Sequence, residues 1–199
     1  MVCVRVCVCV CVYRALFPAS RCLFMYRDVV TVAQSLYRLT MVLPALRLAC
    51  VLGKLSGRLT RLVVDSMGFD GSLFSVRLDD DLTGGVLLSA VTTTSYLEMR
   101  RRGFDVSAVR YEDLVARPLD MCRVILEFCR LPVSLAELAV TAFGRDSQRN
   151  SIVAKSNIGR FREPRLTARN KAKLNDLLKQ FDMPLIGEPG IIEGTLACP

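Results

Sequence analysis

The sequence predicts an α/β protein in which a three-layer parallel sheet is flanked by helices. Short apolar runs that look like buried strands alternate with longer stretches whose apolar residues recur at helical spacing. The chain has 199 residues, of which 52% are hydrophobic and 23% are charged. This length and composition predict one domain with a sizeable core and exclude disordered, collagen-like and coiled-coil proteins.

The first strand and helix are predicted close to the N-terminus. The run CLFMY, residues 22–26, is apolar and aromatic, as expected of a buried strand. Asp28 is then a good helix N-cap, and the apolar residues after it recur at helical spacing: Val29, Val32, Ala33, Leu36 and Leu39. A further apolar stretch is stopped by Gly53, and residues 54–81 are expected to form a long, loosely structured connection.

A second strand and its helices follow in the middle of the chain. Residues 83–102 predict a long helix that Gly103 ends, and residues 105–111 predict the second strand. Pro118 is a favoured first helical residue, so a helix is expected from there through Cys129.

Two more helices are predicted in the C-terminal third. Residues 134–137 read S-L-A-E, a capping-box pattern that opens the first of them. Thr167 begins the second, which is expected to turn four apolar side chains inward: Leu174, Leu177, Leu178 and Phe181.

Composition limits the chemistry that this chain can perform. It contains no histidine, which excludes histidine-based catalytic triads and histidine-ligated metals. Its nine cysteines include no C-x-x-C pair, so no metal cofactor is expected. The formal net charge of +8 favours an anionic partner such as a nucleotide, a sulfated glycan or a membrane surface, and a basic surface without a dedicated ligand is the alternative. Nucleic acid is not expected, because the longest basic block is residues 100–102 and no zinc-finger or ribonucleoprotein signature is present.

Residues 1–19 differ in character from the rest of the chain. Val and Cys alternate over residues 2–12, interrupted by Arg5, as in the translation of a GT dinucleotide repeat. We interpret 1–19 as a low-complexity artefact of a mistaken gene start, with a signal peptide or a membrane anchor as alternatives. Membrane attachment therefore stays open. The domain is expected over residues 20–194, followed by a tail, 195–199.

Ligands of parallel α/β sheets bind at the carboxyl ends of strands, which draws attention to the loop after the first strand. Arg27 follows that strand, and Ser35 lies two turns along the next helix. A guanidinium and a hydroxyl directed at one point would hold a compact oxyanion. The alternative is that Arg27 merely pairs with Asp28 or with a neighbouring carboxylate.

Two further loops contain residues suited to ligand binding. In the second, Tyr111 lies at a strand end, where an aromatic ring can cover a base, and residues 112–113 are acids that can cap a helix or hold an arginine. In the third, residues 146–162 are polar, basic and glycine-containing, as in a loop that folds over an anion. Each loop is also compatible with a purely structural or solvated role.

Together these motifs resemble those of sulfotransferases. Residues 26–35 read Y-R-D-x-x-x-V-A-x-S, which is similar to the motif with which this family binds a 3′-phosphate. The run R-Y-E-D-L-x-x-x-P, residues 110–118, resembles the family's next landmark. Residues 158–162, with Leu166 and Thr167, resemble the late loop that closes on the same phosphate. The resemblance covers roughly residues 20–194.

The resemblance implies a fold, a co-substrate and binding residues. The fold is that of P-loop nucleoside triphosphate hydrolase-like proteins, and the co-substrate is 3′-phosphoadenosine 5′-phosphosulfate, used without a metal. Arg27 and Ser35 would bind its 3′-phosphate, Tyr111 would lie beside the adenine, and Lys155 would supply a late-loop cation. The sulfuryl group would pass to a hydroxyl or amine of a small molecule or carbohydrate. Family members occupy the cytosol or the Golgi, and both localisations stay open for this chain.

The chain departs from the family pattern in three respects. In the late loop, Ala154 and Ser156 replace an arginine and a glycine. The glycine-rich loop that holds the 5′-phosphosulfate should precede Arg27, yet residues 1–52 contain no glycine. The catalytic histidine of cytosolic members is absent, and no catalytic residue is assigned.

We therefore expect a domain incomplete at its N-terminus and inactive as a transferase on its own. A non-catalytic relative that binds adenosine 3′,5′-bisphosphate or a glycan stays open. So does a nucleotide kinase-like relative, although no Walker-type lysine supports it.

Overall fold

The computed structural model describes residues 20–66, 81–143 and 159–198, which form a small parallel sheet with helices around it. Strand β1 (Cys22–Tyr26) pairs in parallel with β2 (Val106–Arg110), with Cys22 opposite Val106 and Tyr26 opposite Arg110. The helices of these ranges are α1 (Val29–Val42), α2 (Pro44–Leu55), α3 (Gly57–Ser66), α4 (Thr83–Arg101), α5 (Tyr111–Ala116), α6 (Pro118–Phe128), α7 (Ala136–Phe143) and α8 (Ala168–Lys179).

Most of the predicted element boundaries are confirmed. The N-cap Asp28 accepts a hydrogen bond from the Thr31 backbone N–H at 2.9 Å, and Pro118 is the first residue of α6. Gly103 follows α4 with φ of +77°, the left-handed conformation that a helix C-terminus often requires. Thr167 caps α8 through a capping box with Asn170. The two strands are parallel, as expected, and the wider three-layer sheet stays a prediction.

Two local predictions are wrong. Helix α2 passes through Gly53, and α3 occupies part of the predicted loose connection. One glycine costs a helix only about 1 kcal/mol relative to alanine, so it does not by itself end a helix. The S-L-A-E pattern does not cap α7 either, because Ser134 lies inside a short 3₁₀ turn, Val133–Leu135, and the helix begins at Ala136.

Three apolar clusters hold the helices against the sheet. The first joins α1, α4 and α8 through buried residues that include Ala33, Val86 and Leu178. The second packs α5, α6 and α7 on β2, and the third packs α4 on the opposite face of the sheet. In the third cluster the rings of Phe24 and Tyr96 stack with centroids 4.7 Å apart. The face of β1 that bears Phe24 is therefore fixed to α4.

The C-terminal segment contacts the outer edge of β2. The Ala108 backbone N–H donates to the Gly194 carbonyl at 2.9 Å, and the Leu196 N–H donates to the Ala108 carbonyl at 2.8 Å. The Thr195 and Tyr26 hydroxyls lie 2.9 Å apart. Residues that the sequence assigned to the tail thus extend the sheet. The opposite edge of the described sheet is β1, whose Met25 side chain is 55% exposed.

Helices α1 and α4 approach closely at Gly85, and we predict that Gly85→Ala destabilises the fold. A Cβ at this position would lie 2.3 Å from the Ala33 Cα, so the two backbones would have to move apart. We expect a loss of about 1–3 kcal/mol, which exceeds the helix propensity that alanine adds. Urea unfolding measures it, and Gly190→Ala, where a Cβ meets nothing within 4 Å, is the control. Equal stabilities for the two variants would contradict the close approach.

Tyr96 should make stability depend on alkaline pH. It is fully buried, its hydroxyl donates to the Glu193 carbonyl at 2.9 Å, and burial raises its pKa above the usual value near 10. Because the folded state holds the phenol proton more tightly, this stabilisation is complete below about pH 10 and is lost as pH rises through the raised pKa. We predict a shallower alkaline decline for Tyr96→Phe in urea unfolding at pH 7 to 11, with Tyr37→Phe as control. Parallel declines for Tyr96→Phe and the parent chain would refute this.

Candidate functional site

The parallel strands bring two of the predicted site residues together. Because Tyr26 and Arg110 pair at the carboxyl ends of β1 and β2, the residues that follow them are neighbours. The Arg27 guanidinium carbon lies 4.7 Å from the centroid of the Tyr111 ring. A guanidinium over an aromatic face within about 6 Å is a cation–π contact. The structure thus joins a cation and an aromatic ring at the edge where sheets of this class bind ligands.

A carboxylate of the second loop connects the two strand ends. The Glu112 Oε1 atom accepts a hydrogen bond from the Asp28 backbone N–H at 2.9 Å and lies 3.9 Å from the Arg27 Nε. Its Oε2 atom lies 3.5 Å from the Arg110 Nε. Arg27 therefore does pair with a neighbouring carboxylate, which the sequence left open as the alternative to ligand binding. That pair is at the outer limit of an ion-pair distance, and the Arg27 side chain is 42% exposed, so it can take another anion.

Ser35 lies half-buried on α1, and the described residues lining the cavity beside Arg27 do not include it. The late segment, residues 159–166, is nevertheless attached to α1 on both sides of Ser35. The Gln34 Nε2 donates to the Pro164 carbonyl at 3.2 Å, and the Arg38 Nη1 lies 2.9 Å from the Glu163 Oε1. The late segment thus packs against α1, the helix that carries Ser35.

Lys155, the fourth predicted site residue, lies outside the described residues. The described part of its loop begins at Gly159, and the Arg160 guanidinium lies 5.0 Å from the centre of the Phe161 ring. The structure thus brings Arg27 and Tyr111 into contact and places the late segment beside Ser35.

An open cavity of about 780 Å³ lies beside Arg27, between β1 and residues of α1 and α4. Apolar side chains of Met25, Val32 and Leu88 line it, together with polar residues of α4 that the sequence analysis missed: Ser89, Thr92 and Thr93. Their spacing of three and four residues places them on one side of the helix, and this periodicity was the available signal. A cavity with apolar walls, a few hydroxyls and one cation fits a nucleotide-sized ligand.

The described ranges contain neither a group of metal ligands nor a membrane-spanning helix. There, no three cysteine or acidic side chains are grouped closely enough to hold a metal ion. No helix in those ranges has both the length and the apolar character needed to cross a bilayer.

Comparisons of the chain with protein-family models, curated proteins and solved structures gave no match. The membership of a sulfotransferase family therefore stays a prediction that rests on motifs.

We predict that the Arg38–Glu163 pair holds the late segment beside Ser35. Because the Arg38 side chain is only 23% exposed, Glu163→Gln should leave its guanidinium poorly compensated and loosen the segment. Cleavage by trypsin after Arg165 should then accelerate by roughly 3- to 10-fold, because proteolysis tracks local opening of the chain. The control is Asp120→Asn, which breaks a surface pair with Arg123 on α6. Unchanged cleavage after Arg165 in Glu163→Gln would show that the pair does not anchor the segment.

Proposed function

We propose that this chain binds the adenosine 3′,5′-bisphosphate part of 3′-phosphoadenosine 5′-phosphosulfate, as a portion of a sulfotransferase-family domain. The observation that carries the proposal is the contact between Arg27 and Tyr111 at the ends of adjacent parallel strands. An adenine nucleotide with a 3′-phosphate offers a planar ring and a compact dianion side by side. One aromatic ring and one guanidinium in contact complement those two groups.

Each predicted residue has a role in this proposal. Arg27 binds the 3′-phosphate through charge-assisted hydrogen bonds, for which its exposure leaves it accessible. Ser35 adds a hydroxyl donor, and Lys155 adds a second cation. Tyr111 lies beside the adenine.

The complete domain would transfer a sulfuryl group to a hydroxyl or amine of a small molecule or carbohydrate. Such a transfer resembles phosphoryl transfer, in which in-line attack is stabilised by cations and backbone N–H groups around the moving group. Residues 1–52 contain no glycine and so provide no glycine-rich loop for the 5′-phosphosulfate. We therefore expect binding without transfer by this chain alone.

A non-catalytic binding protein is the second candidate. Among the described residues that line the cavity, none is a carboxylate that could act as a base toward an acceptor hydroxyl. This lining favours a protein that holds the nucleotide without turnover. Sulfuryl transfer from the donor to any hydroxyl or amine acceptor would exclude this candidate and support the transferase.

The test of the proposal is titration of the full chain with adenosine 3′,5′-bisphosphate and with adenosine 5′-monophosphate, which lacks the 3′-phosphate. We predict tighter binding of the bisphosphate, and loss of that preference in Arg27→Ala, whose bisphosphate Kd should rise roughly 10- to 100-fold. Arg123→Ala, an exposed arginine of α6, is the matched control and should bind as the parent does. Calorimetry measures each dissociation constant.

Two results would overturn the assignment. An unchanged bisphosphate Kd in Arg27→Ala would remove Arg27 from the site. Equal affinity for ATP and the bisphosphate, in competition, would favour a nucleotide kinase-like relative instead.

A further inference from the structure

Glu112 contacts both strand ends and both arginines beside them. One carboxylate oxygen accepts the Asp28 N–H at 2.9 Å and lies 3.9 Å from the Arg27 Nε, while the other lies 3.5 Å from the Arg110 Nε. Its side chain is 31% exposed, so the carboxylate is partly shielded from water and interacts more strongly with these partners than a fully exposed acid would.

These contacts restrict how the Arg27 guanidinium can be oriented. The guanidinium carbon lies over the Tyr111 ring, 4.7 Å from the ring centroid. Its Nε atom is the one nearest to Glu112. A guanidinium presents two edges to anions, one that includes Nε and one formed by the two terminal Nη groups. The Glu112 carboxylate, 3.9 Å from Nε, repels a second anion from the first edge, which leaves the Nη edge for a two-point contact.

We propose that Glu112 is a positioning residue of the Arg27 site. It holds Arg27 at Nε, so that the Nη edge faces the ligand's 3′-phosphate and both Nη groups donate to it. Arg110, on the other side of the carboxylate, neutralises Glu112 and limits its repulsion of the incoming phosphate. This inference rests on the proposed function for the identity of the ligand, but the orientation of Arg27 does not depend on that ligand.

The neighbouring acid provides a matched control. Asp113 lies one residue further along α5, and its Oδ1 is 3.8 Å from the Arg110 Nη1. Its described ion pair involves Arg110 and not Arg27. Glu112→Gln and Asp113→Asn each remove one negative charge. Only Glu112→Gln removes a charge that lies next to Arg27.

The first experiment compares adenosine 3′,5′-bisphosphate with adenosine 5′-monophosphate in the full-length variants. In Glu112→Gln, the bisphosphate Kd should rise roughly 3- to 10-fold while the monophosphate Kd stays the same, because only the contact with the 3′-phosphate depends on the Arg27 orientation. Asp113→Asn should keep both values. An equal rise for both nucleotides in Glu112→Gln would indicate a general structural role and overturn the proposal.

The second experiment needs no ligand. In chain labelled with ¹⁵N-arginine, Arg27→Lys identifies the Arg27 Nε–H signal by its disappearance. In Glu112→Gln that signal should shift, since the negative charge 3.9 Å from Nε is gone, and in Asp113→Asn it should not. Should Glu112→Gln fail to fold, Glu112→Asp, which draws the charge back by one methylene, should give the same changes at smaller size.

The two experiments separate the inference from the function on which it rests. An Arg27 signal that is the same in Glu112→Gln and the parent chain would overturn the positioning role, whatever the ligand. A shifted signal in a chain that binds both nucleotides equally would uphold the orientation of Arg27 and overturn the proposed 3′-phosphate ligand.

Discussion

The in-register parallel pairing of β1 with β2 is the constraint on which the site depends. It places Tyr26 opposite Arg110, and so sets Arg27 and Tyr111 side by side although they are 84 positions apart in the chain. A shift of one residue in the register would turn every side chain of one strand to the other face of the sheet. Phe24 would then leave Tyr96, and Arg27 would no longer lie over Tyr111.

Packing of the helices maintains this register. Helix α4 holds β1 through the Phe24–Tyr96 stack, and α1 approaches α4 so closely at Gly85 that a side chain there would meet the backbone of Ala33. Since α1 begins two residues after Arg27, the same contact fixes the start of the helix that carries Ser35. The late segment then attaches to this helix through Gln34 and Arg38. Core packing and site geometry are therefore coupled.

Local sequence signals predicted the elements, and long-range contacts lay beyond them. The strand at residues 22–26, the Asp28 cap and the Thr167 capping box depend on neighbours in sequence, so each was predictable. Arg27 and Tyr111 were identified because each lies at a strand end. The bond between Glu112 and the Asp28 N–H joins residues 84 positions apart, and no periodicity or motif shows which carboxylate will take that place. The spacing of the polar residues of α4 indicated that they share one side of the helix, but only the folded chain shows that this side lines a cavity.

The most direct test of the account is an NMR titration of the full chain with adenosine 3′,5′-bisphosphate, followed at backbone amides. We predict the largest shifts at residues 27–35, at Tyr111 and at Glu112. The 3′-phosphate should bind between the end of β1 and α1, and the adenine should lie near the end of β2. A second cavity, lined by Arg47 and Lys54 among others, lies near the start of α4. Shifts concentrated there, with none around Arg27, would contradict the account.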